Sequence, residues 1–280
     1  MLRHHHPTIR LLGAFRKGYV AGMRALAPYV ASVVAYDVDL GAPGVHRGLP
    51  STTVTFVLPV GDPLDVGWRD RPESRSARWS TVSGLHARPA EIHHDGHQAG
   101  LQLALTTAGT RALFGMPAAA LAGDLLELDD VAPWLRDLPA RLHEAPPSTW
   151  VDLVQRSLVA QLARHDVIGP RAEVGRALAR LTRGASVQAV ADEVGYSRRH
   201  LGNLVRAECG LTPKEVQRLG RFSSSRALLG RLPLADVAHR CGYADQSHLT
   251  REWVALAGCP PSTWLREEFP FLQDTGAAGG

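Results

Sequence analysis

The chain has 280 residues, 45% of them hydrophobic and 21% charged, which suits about two globular domains with a sizeable core. No apolar run approaches the roughly 18–20 residues a bilayer demands, so a membrane-spanning chain is excluded. The cysteines, Cys209, Cys241 and Cys259, form no CxxC pair; so sparse a set excludes a disulfide framework and points to a reducing cytoplasm. The start, with His4-His5-His6 and an apolar stretch near Leu11 broken by Arg16 and Lys17, does not read as a secretory signal. Charge is unevenly placed. Residues 1–169 carry 16 Lys+Arg against 16 Asp+Glu, whereas residues 170–270 carry 15 against 10. A neutral first part and a basic second part fit a sensor or scaffold followed by a polyanion binder.

Residues 10–27 are periodic enough to predict a short amphipathic helix. From Tyr29 to about Thr107 the texture is β-rich, with strands expected over Val30–Asp39, Thr52–Pro59, Trp79–Leu85, Ala90–His94 and Leu101–Thr106. Val54, Phe56 and Leu58 alternate with Thr53, Thr55 and Val57, as Leu101, Leu103 and Leu105 do with Gln102, Ala104 and Thr106. That spacing predicts a small antiparallel sheet or barrel, with Asp95-Gly96 as a hairpin turn. Helices are then expected over Thr110–Phe114, Ala118–Leu121 with Pro117 at the first helical position, Val131–Leu142 and Ser148–Arg164. The last has one apolar face, which fits packing on its own barrel or a dimer interface.

A linker is expected over 166–170, closed by Pro170. Beyond it, residues 171–268 read as seven helices, roughly 171–182, 187–194, 198–208, 213–230, 234–241, 246–257 and 261–268. A flexible tail follows at 269–280.

An internal repeat dominates this second part. Val190-Ala191, Val194-Gly195-Tyr196-Ser197, Leu201, Leu204-Val205 and Gly210-Leu211-Thr212-Pro213 return as Val237-Ala238, Cys241-Gly242-Tyr243-Ala244, Leu249, Trp253 and Gly258-Cys259-Pro260-Pro261. The second copy has one extra residue between its glycines. Each copy reads as a helix, a tight turn at Gly195 or Gly242 where positive φ is cheap, and a second helix. Ala191 and Ala238 are small where helices cross. Ser197 is placed to cap one second helix; Asp245 or Ala244 begins the other. The outward faces offer Arg198, Arg199, His200, Asn203 and Arg206 in copy one, and Gln246, Ser247, His248, Thr250 and Arg251 in copy two. Arg can bond guanine bidentately, Asn or Gln adenine, and hydroxyls can hold phosphates.

The run Val237–Trp264 resembles the signature of the AraC family of bacterial transcription regulators, and the first copy resembles that family's less uniform N-terminal helix-turn-helix. The resemblance covers roughly residues 170–268. It implies two recognition helices reading adjacent major grooves, with Arg199, Gly202 and Asn203, and Gln246, Ser247, Thr250 and Arg251, as base-facing residues. Where the family often has a long polar or basic pair, this sequence has Gly202-Asn203, which shifts weight onto Arg198, Arg199 and Arg206. The N-terminal part, from Gly84-Leu-His-Ala-Arg-Pro89 through Leu128, is similar to sensor-like domains of such regulators, whose ligand is generally unassigned.

His93, His94 and His97 near Glu91 suit a hairpin tip better than a metal site, and no metal or other cofactor is expected. No GxSxG, P-loop or HExxH stands out, so no catalytic residue is assigned. The expected molecule is an α+β, cytoplasmic, sequence-specific DNA-binding regulator. It pairs a barrel-like N-terminal domain (1–165) with a DNA-binding domain of two helix-turn-helix motifs (171–268). Its expected partners are promoter DNA, a small-molecule effector and RNA polymerase, and it acts as a monomer or homodimer away from membranes. The alternative is an enzyme with a barrel active site and a helical DNA-targeting module.

Overall fold

The computed structural model describes residues 8–15, 25–164 and 172–267. The strands are, in chain order, β1 (Thr8–Phe15), β2 (Val30–Asp39), β3 (Gly44–Gly48), β4 (Val54–Val60), β5 (Leu64–Trp68), β6 (Arg71–Arg78), β7 (Thr81–Ser83), β8 (Ala90–His94), β9 (His97–Leu105) and β10 (Leu125–Leu126). They form a six-stranded sheet in the order β1-β2-β9-β4-β7-β10 and a four-stranded sheet in the order β3-β8-β5-β6. All pairings are antiparallel.

The period-2 alternation sorts the larger sheet's faces. Val33, Val54, Phe56, Leu58, Val82, Leu101, Leu103 and Leu105 join one core with the helices that cover that face. These helices are α1 (Thr107–Phe114), α2 (Leu128–Val131), α3 (Leu138–Glu144) and α4 (Trp150–Leu162). The other face, with Thr55, Ser83 and Gln102, looks across a lumen at the smaller sheet. Helix α4 buries Trp150, Val154 and Leu158 in its own domain's core.

Four local expectations are corrected. Residues 8–15 form a strand, not the start of a helix: β1 pairs with β2 from Thr8↔Asp39 to Phe15↔Val33, and this pairing overrides the local helical period. The sheet therefore begins well before Tyr29. Asp95-Gly96 does not close a hairpin, because β8 pairs with β3 and β5 whereas β9 pairs with β2 and β4. The turn passes the chain between sheets, and at Gly96 (φ 118°) any side chain would strike the Gly41 carbonyl. The expected helix Val131–Leu142 is split into α2, a 3-10 turn at Pro133–Leu135, and α3. Pro133 and Pro139, which lack an N–H donor, sit in the opening turns of the last two pieces. Pro117 precedes its 3-10 turn (Ala118–Leu121) and does not lie inside it.

The C-terminal helices are α5 (Ala172–Thr182), α6 (Val187–Val194), α7 (Arg198–Cys209), α8 (Pro213–Leu228), α9 (Leu234–Arg240), α10 (Gln246–Ala257) and α11 (Pro261–Glu267). Local chemistry fixes their ends. Ser186, Ser197 and Asp245 side chains accept from backbone N–H groups three residues on, and Thr212 and Glu215 form a reciprocal capping box. Helix α8 crosses α5 so closely that a Cβ at Gly220 would overlap the Thr182 carbonyl. The histidine triplet, the expected linker, the tail and part of the expected first helix lie outside the described residues.

Candidate nucleic-acid interface

The two repeats fold alike down to individual bonds. In each turn the tyrosine amide donates to the alanine carbonyl five residues earlier, Tyr196 to Ala191 and Tyr243 to Ala238, both at 2.9 Å. The glycine amides, Gly195 and Gly242, donate to Asp192 and His239, both at 3.2 Å. Their φ values are 73° and 74°, a conformation that costs other residues strain.

Helices α7 and α10 have 12 residues each, from the N-caps Ser197 and Asp245 to the left-handed C-caps Gly210 and Gly258. Position for position, Arg198, Arg199, His200, Gly202, Asn203 and Arg206 match Gln246, Ser247, His248, Thr250, Arg251 and Val254. The extra residue of the second copy is Ala244, and its amide is capped by His248 Nδ1 at 3.3 Å. Both histidines pack edge-on against the turn tyrosines, Tyr196–His200 at 4.6 Å and Tyr243–His248 at 5.3 Å between ring centroids.

The structure brings the sequence-predicted residues of each copy onto one solvent-facing side. Arg198, Arg199, Asn203, Arg206, Gln246, Ser247 and Arg251 are exposed, and Gly202 and Thr250 partly so. Among the described residues the side chains of Arg198, Arg199, Arg206 and Arg251 make no hydrogen bond or ion pair, so their charge is available to a polyanion. His248 is set apart from these: its ring serves the turn and lies 4.0 Å from Glu252. Thr250 Oγ1 donates back to the Gln246 carbonyl at 2.9 Å, leaving its lone pairs as acceptors. Val254, 46% exposed, extends the α10 stripe and was missed in the sequence because it is apolar; its match in α7 is Arg206.

Other charges hold the scaffold. Glu252 is buried and accepts from Arg218 Nε (3.2 Å) and Arg221 Nη2 (2.7 Å), which moor α10 to α8. Trp253 Nε1 donates to the buried Ser225 hydroxyl at 2.9 Å.

The N-terminal domain grips α7 and α10 at the same place, their C-terminal ends. Glu208, in the last turn of α7, is 6% exposed and takes three hydrogen bonds from Arg111 of α1, at 2.7, 3.1 and 3.2 Å. The 3-10 turn at Ala118–Leu121 packs on α7, and any Cβ at Gly210 would collide with Ala122. At the matching cap of α10, Arg69 Nη1 donates to the Gly258 carbonyl at 2.7 Å.

A cavity of about 630 Å³ lies between the sheets and reaches α8 and the end of α5. One wall bears hydroxyls and amides, from Ser32, Thr55, Thr81, Ser83, Gln98 and Gln102; another is apolar, from Leu49, Leu64, Val66 and Ile92. Gly220, Ser223, Ser224 and Ala227 of α8 contribute from the far side. His46 Nδ1 and Thr81 Oγ1 are buried there without a hydrogen-bond partner. Burial, reinforced by neighbouring His94, lowers the His46 pKa to about 4; burial also lowers that of His86 to about 4. Both rings are neutral near pH 7; the charged residues that line the cavity are Arg183 and Arg226, with no Asp or Glu among the described residues.

The histidines near Asp95 do not converge. His97 Nε2 bonds Asp37 at 2.7 Å, while His94 faces His46. Among the described residues no group of three His, Cys, Asp or Glu is arranged to hold a metal ion. All three cysteines are buried, and burial pushes the Cys209 thiol up to about 11.

Residues 190–267 match the family model described as a helix-turn-helix domain. The chain is a transcription regulator with a helix-turn-helix domain of the AraC type. No curated protein matches it significantly. Among solved structures, an apo form of a ToxT variant from Vibrio cholerae aligns over 85% of this chain and 98% of its own, at 12% identity and a TM-score of 0.53. That likeness extends the shared fold to the N-terminal sheets. The regulator's C-terminal part is also similar to the C-terminal domain of AraT, a response regulator from Geobacillus stearothermophilus, at 20% identity and a TM-score of 0.34, over 36% of this chain and 88% of that one. Among the described residues of the regulator no helix is long and apolar enough to cross a membrane.

Proposed function

We propose that the regulator reads a promoter site with α7 and α10 in successive major grooves of one duplex, and that a small molecule in the interdomain cavity tunes this binding. The observation that carries the reading is the pair of 12-residue helices, each with a side-chain N-cap and a left-handed glycine C-cap, each presenting an outward polar stripe, with four unpaired arginines between them. Arg198, Arg199, Asn203 and Arg206, and Gln246, Ser247, Thr250 and Arg251, are the side chains assigned to the DNA. Arginine, asparagine and glutamine supply direct readout; Ser247 and Thr250 supply bonds to phosphate or base.

The effector reading rests on the cavity itself. A buried hydroxyl and an imidazole without partners, Thr81 and His46, are costly unless something satisfies them. The two walls suit a molecule with one hydrogen-bonding face and one apolar face, and Arg183 and Arg226, which also line the cavity, admit a negative charge on it. Because α8 links the two helix-turn-helix units and contributes to the cavity, occupancy bears directly on the segment between them.

Selection from a random duplex pool by full-length protein, at about 150 mM salt, tests the DNA reading. The expected product is one motif with two contact blocks about one helical turn, ~10 base pairs, apart. Affinity for it falls steeply as salt rises, because arginine–phosphate contacts release counterions. Absence of any enriched motif, or an affinity indifferent to salt, would overturn the proposal.

A further inference from the structure

The helical glycines of this chain differ in what surrounds them. A Cβ at Gly109 would overlap the Tyr29 carbonyl, and one at Gly220 the Thr182 carbonyl; both are demanded by packing. Gly202 is not. It lies fifth in α7, without the positive φ that favours glycine, and a Cβ there would meet nothing within 4 Å. Glycine inside a helix nonetheless weakens it by about 1 kcal/mol relative to alanine. Nothing within the fold offsets that cost.

Its position on the helix is informative. Arg198 and Arg206 lie one turn to either side, Arg199 lies three residues before it and Asn203 adjoins it, so Gly202 is a low point ringed by long polar side chains. The matching position of α10 is also kept low. Thr250 is short, and its hydroxyl is folded onto the Gln246 carbonyl. A bulky group at either site would hold the helix away from whatever its flanking side chains reach for.

We infer that Gly202 is a point of close approach, where base edges on the floor of the major groove come into van der Waals contact with the α7 backbone. The missing side chain is thus a specificity determinant: it lets Asn203 and the arginines reach the bases. This rests on the DNA reading above and assigns a role to absent atoms.

The test compares Gly202→Ala with Gly175→Ala in the full-length protein. Gly175, in α5, also has open space around it and lies outside the assigned DNA-facing residues. Each substitution is expected to raise the hydrogen-exchange protection of its own helix about fivefold, the equivalent of about 1 kcal/mol. Only Gly202→Ala is expected to weaken binding to the wild-type-selected duplex, by tenfold or more. A fresh selection with that variant should change the base preference of one contact block and leave the other intact. Wild-type affinity and an unchanged motif for Gly202→Ala would overturn the inference while leaving the DNA reading in place. If the wild-type protein itself enriches no motif, the DNA reading fails and takes this inference with it.

Discussion

Removal of Arg111 probes how the two domains are joined. Its guanidinium is the ion-pair partner of Glu208, a carboxylate left 6% exposed in the last turn of α7. That is an unfavourable place for a negative charge, since the C-terminal end of a helix already carries partial negative charge. In Arg111→Ala the carboxylate would keep its burial and lose three hydrogen bonds. Breaking one side of a buried pair costs about 3–5 kcal/mol; Arg111 is 27% exposed, so the lower end, about 3 kcal/mol, is expected. A two-domain chain need not unfold in one step, so hydrogen exchange of the α7 amides is the suitable assay. Their protection should fall about 100-fold, with β2 and β9 little changed. The double variant Arg111→Met with Glu208→Gln removes both charges and should recover more than half of the loss. Protection within about twofold of wild type in Arg111→Ala would refute the reasoning, and the domain contact would then contribute nothing to α7.

Other consequences follow from the same geometry. Arg199→Ala and Arg251→Ala should each weaken binding to the selected duplex by about 1–3 kcal/mol and relax one position of the motif; titration against single-position variants of the duplex checks this. Gly220→Ala should destabilise the helical domain by about 3 kcal/mol by forcing α8 off the Thr182 carbonyl, seen as a lower urea midpoint. For pH the sign is set by His46 and His86, whose folded pKa values of about 4 lie below the ordinary 6.5. The unfolded chain therefore binds protons first as pH falls, and stability is lost progressively from about pH 6.5 down to about 4. At pH 5 each contributes a loss of about 2 kcal/mol. His86→Gln should flatten the acid limb of the urea midpoint against pH; an unaltered limb would show that the His86 ring is not buried neutral.

The helical half was legible because its signals are local. Caps such as Ser197 and Asp245, and the glycines that end α7 and α10, act within four residues, so helix ends read from sequence fall within a residue or two of those observed. The sheets were harder. Strand β6, Arg-Pro-Glu-Ser-Arg-Ser-Ala-Arg, has no apolar alternation because it is an exposed edge, where charge deters stray pairing. β3 and β5 carry glycines that mask their pattern, and β1 acquires its identity from a partner some twenty residues on. The outward residues of the recognition helices were nameable from spacing alone. The grip of the N-terminal domain was not, since Arg111–Glu208 spans 97 residues and Arg69–Gly258 spans 189. One clue was available: a glutamate in the last turn of a helix opposes the dipole and calls for a cation from elsewhere.

The placement of these contacts gives each recognition helix the character of a lever. A 12-residue helix is about 18 Å long. The domain holds it at the capping glycine, while the residues at its N-terminal end face outward. A pivot of some 10° about the held end would carry the N-terminal end through about 3 Å, close to the 3.4 Å rise between successive base pairs. On the proposed DNA reading, small rearrangements around Arg111, Ala122 or Arg69 would thus be geared up to the spacing at which a duplex is read.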